Sequence, residues 1–341
     1  MNTTTLARRT VSCAITLGLS ALLATGVLAE ERDRQRGHFS LPESGNVIGE
    51  NYTVTVQEGD TLIDLGRTHN VGYEAMRMAN PDVSIWAPFA GTEVVIPDRH
   101  ILPDAEREGI VVNLSEMRLY YYSAPGVVET YPISVGRDGF GTPVGVTRTT
   151  VKVKDPAWSP PRSMRAEAAA RGEPVPAVVP PGPDNPLGRH AILLGIPSYL
   201  IHGTNQPDGV GMRASRGCIR MFPEDIESLY ERVPSGTRVN IIDQPFKAGW
   251  APDGTLYAQS FPPLEENEGS FEPLLNAIET VSRAFGDAKP PVDYARLREL
   301  VEQPDGLIVS LLHTADEAPT PATPAPEVEN LFGGELELSS R

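Results

Sequence analysis

Between His202 and Arg220 the chain reads HGTNQPDGVGMRASRGCIR, a stretch whose residue types suit nucleophilic acyl transfer. Cys218 is the candidate nucleophile. A thiol of pKa about 8.5 is mostly protonated near neutrality, so it needs a base that takes its proton and later returns it to a leaving amine. His202, sixteen positions upstream, is the candidate base, because a loop of that length can fold the two side chains together. Gly217 lets the backbone come close to a substrate, and the amides of Gly217 and Cys218 are candidate donors to a developing oxyanion. Ser215 either orients the histidine or tightens the loop. A lone buried cysteine and a satisfied core histidine are each common, but both in one glycine-rich loop favour catalysis.

Arg220 and Arg213 are candidates for a substrate carboxylate, and both have a structural alternative, for Arg220 an ion pair with Glu224 or Asp225. His190 precedes an apolar strand and reads as structural. His38, His69, His100 and His313 lack companions at ligand spacing, so no metal and no cofactor are expected.

The only other cysteine, Cys13, lies within residues 1–29, where Arg8 and Arg9 precede an uncharged run ending Val27-Leu28-Ala29. This is a signal-peptide pattern, and cleavage after residue 29 removes Cys13 with it. The mature chain then has one thiol and no internal disulfide. The formal charge of −16, or −18 without Arg8 and Arg9, argues against nucleic acid or an anionic membrane as partner and favours a neutral or amine-bearing substrate.

The elements that position the loop are short. With 31 Gly and 33 Pro, turns are frequent and a strand-rich body is expected. Tyr52–Val56 alternates as a strand, Asp60 and Thr61 offer caps for a helix carrying Leu62 and Leu65, and a second helix from Gly72 holds Ala75, Met76 and Met78. Glu93–Ile96 closes this strand–helix–helix–strand module, in which Met76, Met78 and Val94 are expected in the core. A hairpin opens the next unit at Gly109–Leu114 and Leu119–Tyr122. Strands follow at 127–135, 147–154, 191–194, 200–202 and 239–242, with helices at 162–171 and 223–232. The Pro-rich insert 173–186 forms a lid or rim. Beyond Asp243, Phe271, Leu274, Leu275, Ile278, Val281 and Phe285 fit one inward helical face, and 315–341 has the composition of a disordered tail.

Tyr52 to Pro97 resembles a LysM domain through its EGDTL opening, ANP step and closing IP. That resemblance implies glycan binding between two loops, which here hold Gly59, Asp60 and Thr61 on one side and Asn80, Pro81 and Asp82 on the other. Capping by Asp60 and Thr61 and turning by Asn80 and Pro81 are compatible structural roles. The region from about Gly109 to Asp243 resembles the catalytic domain of L,D-transpeptidases, the YkuD family, through HGT at 202–204 and SRGCIR at 215–220. NLSEMRLYYY, GTPVGVT, VVPPGPDNPLG and YLIHGTN resemble the Gram-negative, ErfK/YbiS-like subfamily that pairs this domain with LysM. Where many members have SHGC, this chain has Arg216, which leaves His202 as the base.

The resemblance implies a mainly β catalytic domain, a YkuD-type β-sandwich with short helices, behind a small α+β (βααβ) LysM domain. The expected organisation is a signal peptide at 1–29, LysM at 51–98, the catalytic domain at 108–243, an appendage at 244–314 and a tail at 315–341. It also implies a periplasmic enzyme acting on peptidoglycan stem peptides. Cys218 and His202 would be catalytic with Ser215 and Gly217, while Arg220, Arg213, Gly203 and Thr204 would bind substrate. The acceptor would be the C-terminal lysine of an outer-membrane lipoprotein or the amine of a second stem. Two alternatives stand beside transfer: hydrolysis by the same cysteine, as an L,D-carboxypeptidase or lipoprotein-detaching enzyme, and a non-catalytic LysM peptidoglycan binder. An NlpC-type peptidase is disfavoured, since in that family the cysteine precedes the histidine.

Overall fold

Two short strands, β1 (His38–Ser40) and β2 (Val47–Ile48), open the described part of the chain. The computed structural model describes residues 37–264, 273–285 and 291–312. The segments 1–29 and 315–341, with Cys13, Phe271 and His313, lie outside the described residues. No helix among those described is long and apolar enough to cross a membrane.

The small module follows as β3 (Tyr52–Thr55), α1 (Leu62–Thr68), α2 (Tyr73–Ala79) and β4 (Glu93–Ile96), with β3 and β4 antiparallel. Thr61 caps α1 by accepting from the Asp64 amide at 3.0 Å, and Asp60 Oδ2 accepts from the Gln57 amide at 2.8 Å to close the preceding turn. Val56, Leu62, Val71, Met76, Val94 and Ile96 form the core. Met78 does not join them: it is only half-buried and lines a cleft with Gly306 and Phe261, because its helical position turns it toward the C-terminal unit. Asn80 is buried and fully engaged, donating from Nδ2 to the carbonyls of Met76 and Val95 and accepting from the Val95 amide. It fastens α2 to β4, so its amide is not available for the glycan contact expected of it.

After β5 (His100–Ile101) come β6 (Gly109–Asn113), β7 (Arg118–Ala124), β8 (Val127–Gly136) and β9 (Gly145–Lys154). Helix α3 (Arg162–Ala170), β10 (His190–Leu194), β11 (Leu200–His202), β12 (Arg213–Ser215), β13 (Ile219–Met221), α4 (Pro223–Arg232) and β14 (Arg238–Ile242) complete this unit. The ten-stranded sheet runs β1-β8-β13-β11-β10-β9-β14-β6-β7, and β7 pairs again with β8. The sheet therefore closes on itself as a barrel instead of splitting into the two faces of a sandwich, which removes the exposed edges of its central strands. Every second residue points inward: Ile110, Val112, Ile133, Val135, Ile192, Ile201, Ile219 and Ile241 fill the core with Ile226 and Leu229 of α4. Truncating one such isoleucine or leucine to alanine costs about 2–5 kcal/mol.

The third unit contains β15 (Phe246–Trp250), β16 (Leu256–Ser260), α5 (Pro273–Phe285), α6 (Tyr294–Glu302) and β17 (Ile308–Ser310). Its core includes Phe246, Leu256, Ala277, Val281, Leu297 and Leu311. Leu275, expected on the inward face of α5, is exposed, and the small Ala277 lies at the contact instead. Lys247 ties this unit to the barrel through a 2.8 Å buried ion pair with Glu116 and a 2.6 Å hydrogen bond to the Ile101 carbonyl.

The small module rests on the loop that leads to β12. The Tyr73 and Glu74 amides at the start of α2 lack intrahelical partners and donate to the carbonyls of Val210 and Gly211. A Cβ on Gly72 would stand 2.7 Å from the Gly211 Cα, so glycine is what permits this approach. Arg67 pairs with both carboxylate oxygens of Glu224 on α4 at 2.9 Å.

Candidate active site

Strands β11 and β13 lie side by side in parallel, with Ile201 opposite Ile219 and His202 opposite Arg220. Both isoleucines point into the barrel core. Side chains alternate along a strand, so His202 and Arg220 share the opposite face, and Cys218 immediately precedes β13. The sixteen-residue separation is thus closed by strand pairing.

The loop between them is held internally. Thr204 Oγ1 accepts from the Gln206 amide at 2.9 Å, and a tight turn covers Pro207–Gly209. Ser215 Oγ donates to the Cys218 carbonyl at 2.6 Å and accepts from the Gly217 amide at 3.0 Å. Ser215 therefore tightens the nucleophile turn and does not orient the histidine. The same bond commits the Gly217 amide, which is not free to serve an oxyanion. Thr142 Oγ1 clamps the turn from outside by donating to the Gly217 carbonyl at 2.9 Å. Gly217 has φ of +101°, and a Cβ there would meet Tyr199 Cε1 at 2.6 Å. Glycine is required by the backbone and by Tyr199, not by an approaching substrate.

Cys218 is half-buried, its Sγ 3.6 Å from the Ser198 carbonyl. Burial pushes its pKa up, while the Leu200 backbone and the Arg220 charge favour the thiolate. His202 is 5% exposed, and its Nδ1 lies 2.6 Å from the Gly203 carbonyl. A carbonyl only accepts, so Nδ1 carries the proton and Nε2 keeps its lone pair, the tautomer a base needs. Burial, then Arg220, lower the His202 pKa to about 4 despite the carbonyls of Gly203 and Leu187. Both shifts oppose a standing thiolate–imidazolium pair, and the resting site holds a thiol and a neutral imidazole. Among the described residues no hydrogen bond joins them directly.

Arg220 is the charge that both groups feel. Its own pKa is lowered by burial, and its Nε lies buried without a hydrogen-bond partner. The ion pair expected with Glu224 or Asp225 is not formed: Glu224 is held by Arg67, and no ion pair involves Arg220 among the described residues. Arg213 takes the structural one of its two readings. Its guanidinium donates to the carbonyls of Pro262 and Pro263, at 2.7 and 2.8 Å, and so anchors the segment after β16 instead of awaiting a substrate carboxylate. Gly203 and Thr204 also serve the loop, Gly203 packing under Gly188 and against Ile226.

Four residues near the nucleophile are not singled out by the sequence, although Thr142 and Tyr199 fall within the stretches GTPVGVT and YLIHGTN. Phe140 and Thr142 come from the loop after β8, Ser198 and Tyr199 from the turn before β11. Thr142 and Tyr199 act only through contacts across the fold. Although the chain is acidic overall, Arg220 places positive charge on Cys218, while Arg137 and Arg216 lie on the Phe140 ring in the loop bonded to the nucleophile turn. A cleft of about 320 Å³ where the three units meet reaches Arg213, but neither Cys218 nor His202 lines it. Chemistry, not cavity size, therefore identifies the site.

Comparison with known proteins gives the family. The model of the L,D-transpeptidase catalytic domain, YkuD, matches residues 107–241. The probable L,D-transpeptidase YbiS of Escherichia coli K12 is 41% identical over 285 residues, covering 80% of this chain and 91% of that protein. The probable L,D-transpeptidase ErfK/SrfK of Salmonella typhimurium LT2 is 41% identical over 292 residues, covering 80% of this chain and 93% of that protein. The probable L,D-transpeptidase YcfS of Escherichia coli K12 is 42% identical over 259 residues, covering 73% and 81%.

Proposed function

The chain belongs to the L,D-transpeptidase (YkuD) family, as an ErfK/YbiS-like enzyme of peptidoglycan transpeptidation, and from that membership we propose that Cys218 is the residue acylated by a stem peptide. The observation that carries this assignment is the β11–β13 register, which sets His202 opposite Arg220, with Cys218 immediately ahead of β13 and under the Arg220 charge.

In the first half-reaction Cys218 Sγ attacks the carbonyl at the L-centre of diaminopimelate in a tetrapeptide stem. His202 Nε2 takes the thiol proton and delivers it to the nitrogen of the departing D-alanine, so a C–S bond replaces the C–N bond. Arg220 offers positive charge to the thiolate as it forms and to the oxyanion, and the Cys218 amide is the oxyanion donor that Ser215 leaves in play. In the second half an acceptor amine attacks the thioester. His202 takes its proton and returns it to the leaving sulfur, which restores the starting state. The acceptor is either a lipoprotein C-terminal lysine or the side-chain amine of a second stem, giving a 3→3 cross-link.

The module at 51–98 is a LysM unit that holds the enzyme on glycan and raises local substrate concentration. Gly59, Pro81 and Asp82 are exposed there, with Asp60 and Thr61 beside them, and a bond from the Leu62 amide to the Ile85 carbonyl brings the two loops together. The signal-peptide pattern at 1–29 supports periplasmic action.

Tetrapeptide muropeptides are incubated with residues 30–341, with and without a lysine-ended lipoprotein peptide, and the products are weighed by mass spectrometry beside a Cys218→Ala control. Cysteine-dependent loss of D-alanine with a joined product supports transfer, and the product mass names the acceptor. D-alanine loss without joining turns the assignment to hydrolysis, and no reaction despite glycan binding turns it to a binding protein.

A further inference from the structure

Arg216, the second residue of the SRGC motif, leaves the nucleophile turn and lies on the ring of Phe140, its Cζ 4.4 Å from the ring centroid. Arg137 approaches the same ring at 5.2 Å. The loop carrying both is fixed to the nucleophile turn, since the Arg137 amide donates to the Ser215 carbonyl at 3.0 Å and Thr142 holds Gly217. Two guanidiniums thus share one aromatic ring on the loop bonded to the nucleophile turn. Cations on a ring face are favoured by its quadrupole, and the planar guanidinium keeps its N–H edge for an anion.

One carboxylate already meets that edge. Glu167 of α3 pairs with Arg216 through both terminal nitrogens of the guanidinium. Arg216 foremost, with Arg171 and Arg137 behind it, holds the Glu167 carboxyl below the usual carboxylate range. Arg137 makes no ion pair of its own among the described residues. Glu167 remains 43% exposed and Arg216 18% exposed, so a solute can reach the pair. A Glu–Arg bond this open contributes little to stability, which leaves it exchangeable. Such an arrangement is an anion site occupied by a side chain of the same protein.

We propose that Arg216 and Arg137, mounted on Phe140, form a carboxylate-binding subsite beside Cys218, that Glu167 is its resting occupant, and that a free carboxylate of the donor stem peptide displaces it. The subsite selects stems bearing a carboxylate over stems in which that group is a carboxamide. A carboxamide has no charge and offers one acceptor oxygen where the guanidinium presents paired donors. The inference rests on the assignment of Cys218 as the acylated nucleophile.

The test separates binding from chemistry. Full-chain protein with Cys218→Ala is titrated with two tetrapeptide stems that differ only in carboxylate against carboxamide, and acylation of the wild-type chain by each stem is followed by intact mass. The free-acid stem is expected to bind about tenfold more tightly, the scale of a charge-assisted hydrogen bond. Arg216→Gln removes most of that preference and Arg137→Gln part of it. Glu167→Gln, on an exposed helix face, tightens the free-acid stem about threefold and leaves the carboxamide stem unchanged. Equal binding of the two stems by the parent chain, or a preference that survives both arginine substitutions together, overturns the subsite. A binding preference without wild-type acylation supports the subsite and overturns only the assignment of Cys218.

Discussion

Arg220 stands directly opposite His202 across the β11–β13 pair, and its half-buried guanidinium lowers the basicity of the imidazole while favouring ionisation of the Cys218 thiol. One cation therefore makes the nucleophile easier to form and its base weaker. Replacing it by an uncharged residue of similar length, Arg220→Met, is expected to slow acylation by a factor of about 10–100, on the scale of lost charge stabilisation in an active site. The same change removes a half-buried charge whose Nε has no hydrogen-bond partner, so the melting temperature is expected to rise. Acylation rate and thermal denaturation of the two proteins check both halves.

The protonation states lead to a pH dependence. With His202 near 4 and Cys218 raised by burial, acylation is expected to fall as pH drops toward 4 and to show no inflection at the ordinary histidine value of about 6.5. Stability follows the same sign. The unfolded chain binds a proton at His202 below about pH 6.5 and the folded chain only below about 4, so acidification between those values favours unfolding. His202 alone accounts for about 3 kcal/mol over that window. His100, His38 and His190, all lowered chiefly by burial, add to the same direction. Denaturation midpoints between pH 7 and 4 measure this, and a His202→Gln variant is expected to show a shallower slope.

Ser215 makes two hydrogen bonds within the nucleophile turn and none to His202. Ser215→Ala is expected to cost about 1–3 kcal/mol of stability, by leaving the Gly217 amide buried without a partner. Acylation slows through misplacement of Cys218 while its pH profile keeps its shape. A shifted profile would show instead that the hydroxyl acts on the imidazole.

The Lys247–Glu116 pair is almost wholly buried and joins the barrel to the C-terminal unit. Glu116→Gln removes the partner of a buried ammonium and is expected to destabilise the protein by about 3–5 kcal/mol. The double change Glu116→Gln with Lys247→Met is expected to recover much of that loss. Chemical denaturation of the three variants checks it.

Much of this organisation is readable in the residues themselves. Alternating apolar positions place the strands of 109–154 and 190–242 to within a few residues, and Thr61 marks the start of α1. Cys218 and His202 stand out because a thiol and an imidazole meet in a glycine-rich stretch. Closure of the barrel is not legible, because the β13–β8 and β14–β6 pairings join segments far apart in the chain and depend on twist and shear summed around the ring. Two strands that frame the site, Arg213–Ser215 and Ile219–Met221, are only three residues long, too short for a periodic signal. Arg213 shows why a residue type does not fix a role. Its guanidinium suits a carboxylate, yet the fold offers it two proline carbonyls some fifty residues away in the chain. Met78 and Leu275 fail as core residues for a related reason, since periodicity names a face without naming what covers it.

The most direct test of the account is the intact mass of the wild-type chain mixed with a tetrapeptide stem and no acceptor amine, followed by peptide mapping. The account predicts a mass increase equal to the stem minus D-alanine, located on Cys218 and absent from Cys218→Ala. D-alanine release that persists in Cys218→Ala, or an adduct on any other residue, would contradict it.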